Sequence, residues 1–131
     1  MEYRFFISGS LPNLNDYLQA ERQTIRHKGK FTTKGNELKQ TNQQVVIYAI
    51  REQLKGLKID KPIHITYHFF EPNRKRDLDN ISAFAHKVIQ DAMVKSGLIA
   101  NDGWKEIIGF TDVFAVDKEN PRIEVILREV S

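Results

Sequence analysis

The stretch KPIHITYHFFEP, residues 61–72, alternates its side chains with a period of two and then gives way to a helical period. Ile63, Ile65, Tyr67 and Phe69 fall on one face, with His64, Thr66, His68 and Phe70 on the other, which is the pattern of a strand. From Asp79 to Gly97 the apolar residues Ile81, Ala85, Val88, Ile89 and Ala92 recur on one broad arc at about 100° per residue. Lys95 and Gly97 supply a basic last turn and a left-handed stop. A chain that passes from strand to long helix and back to β-rich sequence must bury one face of each element against the other.

The other segments extend this pattern. Residues 3–8 form a short aromatic strand, and SGSLPNLND reads as a loop leading to a short helix near Asp16 to Glu21. Leu38, Val45, Val46, Ala49, Ile50 and Leu54 mark a first long helix that stops at Gly56. KEIIGFTDVFAV and RIEVILREV are two β-rich runs separated by DKENP, which predicts an antiparallel hairpin. The expected fold is one α/β (α+β) domain over residues 1–131, a mixed sheet of about four strands against two long helices in the order β-α-β-α-β-β. On the second long helix, Asn80, Phe84, Lys87 and Asp91 form a stripe beside the apolar arc, and Ser82, His86 and Gln90 are expected to face solvent.

Composition bounds the chemistry. No Cys is present, so disulfides, thiolate metal sites and a Cys nucleophile are excluded, leaving carboxylates, His, Lys or a metal held by oxygen and nitrogen. No apolar run approaches a membrane span of roughly 20 residues, and MEYRFFISGS lacks the apolar stretch of a signal peptide; the expectation is a soluble, cytoplasmic protein without a membrane partner. His64 and His68 would stand about 13 Å apart on a strand, too far to share an ion. The net charge is only +3, but residues 21–40 hold six Lys/Arg against two Glu, a distribution that suits a phosphate backbone as well as an ordinary solvated loop.

RKRDLDN, residues 74–80, sets Arg74, Lys75 and Arg76 before Asp77 and Asp79. Paired carboxylates cradle a hard divalent cation, and a cationic cluster grips phosphate, so the stretch points to metal-assisted chemistry on a polyanion. A basic loop followed by a helix-capping Asp reads the same way locally. Lys87 and Asp91 are either one wall of a cleft or an i, i+4 surface pair, and a further acid, Asp102, lies in a turn after the helix that could carry it back toward the helix start.

RDLDN, the helical Lys87 four residues before DAM, and the ND of Asn101 and Asp102 together resemble the RusA-type Holliday junction resolvases, small magnesium-dependent endonucleases typical of phages and prophages. LPNLNDY near the N-terminus is similar to that family's Pro/Asn-rich opening, and the order of elements agrees over most of the chain. The resemblance implies Asp77, Asp79 and Asp102 as catalytic metal ligands and Lys87 as the catalytic lysine, which is matched through its spacing to Asp91 because it lies about one helical turn farther from DLDN than in the shorter family pattern. Asp91 is either an additional ligand or the residue that orients Lys87. The cofactor is then Mg2+, with Mn2+ substituting, and the partners are four-way or branched DNA and a second copy in a C2 homodimer that makes paired symmetrical nicks during recombination, repair or phage DNA processing. Arg74, Lys75 and Arg76, with Asn13, Arg22, Arg26, Lys28, Lys30 and Lys34, are the expected DNA contacts, the basic segment acting as a mobile loop. Three alternatives fit less well. A dehalogenase-type phosphatase places DxD directly after an apolar strand, a DxD sugar-nucleotide transferase needs a larger fold, and a non-catalytic branched-nucleic-acid-binding module leaves the separated acids without a purpose.

Overall fold

The structure, a computed structural model, describes residues 1–27 and 29–130. Its elements in chain order are β1 (Glu2–Ser8), α1 (Leu14–Glu21), β2 (Thr24–His27), β3 (Lys30–Thr33), α2 (Lys34–Leu54), β4 (Ile63–Glu71), α3 (Leu78–Lys95), β5 (Ile107–Val116) and β6 (Arg122–Glu129). Four strands form a mixed sheet in the order β1-β6-β4-β5, and β2 and β3 form a separate hairpin. The expected mixed α/β fold with two long helices is present, joined by the short α1.

Each element follows from local chemistry. Thr33 caps α2 by accepting the Asn36 N–H at 2.9 Å, five residues before Leu38, the first apolar position that sequence periodicity marks. Lys55 and Gly56, both at positive φ, end that helix. On β4 the alternation holds throughout, with Ile63, Ile65, Tyr67 and Phe69 buried against Val46, Ile47 and Ile50 of α2 and Ile81, Ala85, Val88, Ile89 and Ala92 of α3 in one core. Each such side chain contributes about 1.5–3 kcal/mol by leaving water. The core lies on one face of the sheet.

Three local expectations are corrected. β5 and β6 do not form a hairpin: β5 pairs parallel with β4, β6 pairs antiparallel with β4 and β1, and β4 lies between them. The β4-α3-β5 crossover takes one side of β4, and β6, whose Ile123, Val125 and Leu127 are buried, takes the more enclosed position. The five residues between β5 and β6 need only step across two strand spacings, about 10 Å, and Asp117 anchors the step by donating to the Glu71 carbonyl at 2.8 Å. The basic segment is not an open loop but the β2–β3 hairpin, tied down where Lys34 N–H meets the Gln23 carbonyl at 2.9 Å.

The third correction concerns the polar side of α3. Ser82, His86 and Gln90 face the sheet rather than solvent: Ser82 is buried, His86 Nε2 lies 2.6 Å from Asp112 Oδ1, and Gln90 Nε2 donates to the Tyr67 hydroxyl at 3.0 Å. Polar partners on β4 and β5 satisfy what periodicity alone assigns to water. Burial holds the Tyr67 hydroxyl in its neutral form well above the ordinary tyrosine range.

Candidate active site

β4 and β5 run parallel, and α3 starts just beyond the end of β4, so the first turn of α3 sits at the carboxyl ends of two parallel strands, where open α/β sheets receive ligands. A cleft of about 410 Å³ opens there, lined among others by Glu71, Arg74, Arg76, Asp77, Phe114 and Val116. Asp77 is the N-cap residue of α3, with extended backbone (φ −70°, ψ 147°), yet its side chain makes no capping hydrogen bond. Asp79 follows in the first turn, and both side chains are exposed. Neither carboxylate takes a hydrogen bond or ion pair among the described residues, so the capping role that local sequence allowed for this stretch is not used. Two free hard-oxygen groups beside a helix N-terminus are a donor set that suits Mg2+ or Mn2+.

The preceding loop divides its three cations. Arg74 and Lys75 are exposed, and Asn73 shapes the loop by accepting the Lys75 N–H at 3.0 Å. Arg76 is engaged internally: Nε and Nη2 grip Glu71 at 2.9 and 3.0 Å, and Nη1 donates to the Leu11 carbonyl at 2.8 Å. The guanidinium thereby holds three segments together, the end of β4, the start of α3 and the loop before α1. Sequence reasoning missed its partner Glu71, although the residue continues the buried phase of Ile63, Ile65, Tyr67 and Phe69, and a charge at a core-phase position is a signal for a specific partner.

The remaining site candidates are dispersed. Lys87 is exposed on α3, eight residues or about 12 Å along the axis from Asp79. Asp91 lies about 18 Å along the axis from Asp79 and accepts from Gln43 Nε2 at 3.1 Å. Lys95 Nζ in turn donates to Gln43 Oε1 at 2.6 Å, so Asp91, Gln43 and Lys95 form a polar clamp between α2 and α3. Gln43 is buried, and nothing in the helical pattern of α2 flags it. Asp102 does not return to the helix start. It lies past the far end of α3, in a segment anchored beside the beginning of β4 by Ile59 N–H to Leu98 O at 2.8 Å and Ile63 N–H to Glu106 O at 2.9 Å. An 18-residue helix is about 27 Å long, and the short turn that follows feeds directly into β5 at that same end. Among the described residues, no three His, Asp or Glu groups of one chain come together as a metal site.

Of the expected DNA contacts, Asn13 caps α1, accepting the Asp16 N–H at 2.8 Å while Asp16 Oδ2 accepts the Asn13 N–H at 3.3 Å. Arg22 is exposed at the end of α1, and Lys34 is exposed at the start of α2. Arg26 and Lys30 project from the β2–β3 hairpin, where the Arg26 guanidinium lies 5.8 Å from the ring centroid of Phe31, itself 74% exposed. Lys28 lies outside the described residues. A cation beside an exposed ring is a surface suited to nucleic acid.

A curated relative, the crossover junction endodeoxyribonuclease RusA of Aquifex aeolicus (strain VF5), is 44% identical over 57 residues, which span 43% of this chain and 42% of that protein. Residues 18–128 match the family model described as endodeoxyribonuclease RusA. The match runs from within α1 to within β6 and includes the paired aspartates with β4, α3 and β5 around them, so the chain belongs to the RusA endodeoxyribonuclease family.

Proposed function

We propose that this protein is a metal-dependent endodeoxyribonuclease that cuts branched DNA, four-way junctions foremost, by paired symmetrical nicks in recombination, repair or phage DNA processing. The observation that carries the reading is the pair of uncommitted carboxylates, Asp77 and Asp79, at the carboxyl end of two parallel strands in a chain of this family. Asp77 and Asp79 hold the cation, Mg2+ or Mn2+ in its place. A divalent cation bound there supplies charge neutralisation at the scissile phosphate and acidifies a water molecule.

The chain's own side chains do the positioning. Arg74 and Lys75 seat the phosphodiester backbone at the rim of the cleft, Arg76 keeps that rim rigid through Glu71 and Leu11, and Lys87 meets an adjoining phosphate along α3. The β2–β3 hairpin, with Arg26 and Lys30, carries the contact away from the cut site. The working form is a C2 homodimer in the cytoplasm, which provides two sites for two strands. A two-fold axis perpendicular to α3 sets the Asp102 end of one copy beside the Asp79 end of the other, and the partner's Asp102 then completes the carboxylate set that one chain cannot assemble.

Labelled four-way junction and matched duplex DNA, incubated with the protein with and without Mg2+, test the reading. The expected result is metal-dependent nicking of the junction at symmetrical positions with little cutting of duplex. Binding without cleavage at any divalent metal returns the chain to a branched-DNA-binding role.

A further inference from the structure

The β2–β3 hairpin has two unlike sides. Residues paired directly across a hairpin share a face, so Ile25 and Thr32 lie on one side and Arg26 and Phe31 on the other. The first side is turned to the body of the protein: Ile25 lines a groove with Ala20 and Leu38, and Thr32 Oγ1 accepts from Asn36 Nδ2 at 3.0 Å. The second side points outward. Phe31 is 74% exposed there, with the Arg26 guanidinium over its ring.

The base of the hairpin is fixed. The Thr33 hydroxyl donates to the Glu21 carboxylate at 2.5 Å, and Gly35 is buried where a Cβ would collide with the Glu21 side chain, so only glycine lets α1 close against the start of α2. Tyr17 of α1 packs on Phe84 of α3 with ring centroids 5.1 Å apart. Leu11, just before α1, accepts from Arg76 at the rim of the cleft. One helix of eight residues, about 12 Å long, therefore joins that rim to the hairpin.

Residues 24–33 contain no Asp or Glu, so the arm complements a polyanion. Cations alone suffice to hold a phosphate backbone, and an isolated exposed Phe is ordinary on a protein surface. Their combination is more specific. A ring set between Arg26 and Lys30 on an arm without an acid is the arrangement that holds unpaired nucleotides, a basic track with a π-face on which a base can stack.

We infer that Phe31 reads the branch of the DNA substrate, stacking on a base left open where strands diverge while Arg26 and Lys30 hold the flanking phosphates. The inference deepens the proposed junction-cutting function and rests on it for the identity of the ligand. Phosphate contacts are alike on duplex and junction. Stacking is not, because inside a duplex each base face is already covered, and a ring can enter only by prising a step apart at a cost in free energy. Phe31 thus favours branched DNA over duplex, apart from the carboxylates that cut.

Binding of the native protein, Phe31→Ala and Phe31→Trp to a four-way junction and to matched duplex, without divalent metal, tests the stacking role. The junction is prepared both intact and with abasic sites in place of the bases at the branch. Phe31→Ala weakens binding of the intact junction on the order of tenfold and leaves duplex binding within about twofold. Its salt slope stays at the native value, because no phosphate contact is lost. Phe31→Trp binds the junction as tightly as the native protein or more so. On the abasic junction the native protein and Phe31→Ala bind alike, which a merely structural role for the ring would not produce. Both variants melt within about 2 °C of the native protein, since the ring is exposed. The inference is overturned if Phe31→Ala weakens junction and duplex equally, if it keeps the native preference for the junction, or if it loses as much on the abasic junction as on the intact one. A native protein with no preference for the junction overturns it as well. Loss of the inference leaves the nuclease reading to its own nicking assay, and a Phe31-dependent junction preference in a protein that cuts no DNA with any divalent metal keeps the stacking residue and removes the nuclease.

Discussion

Replacing Arg76 with Met separates a structural cation from a DNA-contacting one. Glu71 is 7% exposed and accepts two charge-assisted bonds from Arg76, whose side chain is 23% exposed. Removing one member of a buried pair costs about 3–5 kcal/mol because the other is left charged and unpaired. Solvent at the arginine side already screens part of the attraction, which lowers the figure to about 2–3 kcal/mol. With an unfolding entropy of about 2.1 cal/mol/K per residue, a chain of this length loses ~7–11 °C of Tm. Neutralising Arg74 or Lys75, both exposed, moves Tm by less than about 2 °C but weakens junction binding and makes its salt dependence shallower, since fewer counterions are released. Glu71→Met combined with Arg76→Met recovers most of the lost stability by removing the stranded charge. Calorimetry at one fixed protein concentration, with binding measured from low to moderate salt, reads both effects. The reasoning fails if Arg76→Met melts within about 2 °C of the native protein while its salt slope falls as far as that of the Arg74 variant.

Three further outcomes follow from the site and the core. Asp79→Asn keeps the shape of the first turn and lowers cleavage by orders of magnitude while metal-free junction affinity holds or rises and melting stays within about 1 kcal/mol; cleavage near the native rate removes Asp79 from the metal site. Asp91→Asn retains an oxygen acceptor for Gln43, so cleavage and metal affinity stay within about threefold; abolished cleavage at unchanged Tm would make Asp91 part of the chemistry. Because Tyr67 stays neutral in the fold while its unfolded form ionises near pH 10, its stabilisation is fully present below pH ~10 and is lost as pH rises beyond it, by about 1.4 kcal/mol per pH unit. Urea midpoints between pH 9 and 11.5 should therefore fall less steeply for Tyr67→Phe, and an identical slope would show that burial does not hold the hydroxyl neutral.

Much of this protein is legible in its chain. The two-residue phase of Ile63 to Phe69 and the helical arc of Ile81 to Ala92 determine β4 and α3, because burial acts on side-chain periodicity that neighbouring residues carry themselves. RKRDLDN likewise places two carboxylates at a helix start without reference to anything distant. Even the remoteness of Asp102 was implicit in the length of α3. Only the tertiary structure decided the rest. Whether Asp77 caps its helix or leaves its carboxylate free depends on which groups reach it. Arg74 and Arg76 are identical in type and two residues apart, and only the buried Glu71 and the Leu11 carbonyl, the latter 65 residues away in sequence, make one of them structural. Ser82, His86 and Gln90 look solvated until Tyr67 and Asp112 are set opposite them. β5 and β6 look like a hairpin until β4 comes between them. In each case the outcome turns on a partner supplied by folding, and hydrogen bonds and ion pairs are made to whatever the folded chain brings within about 3 Å, which local sequence does not record.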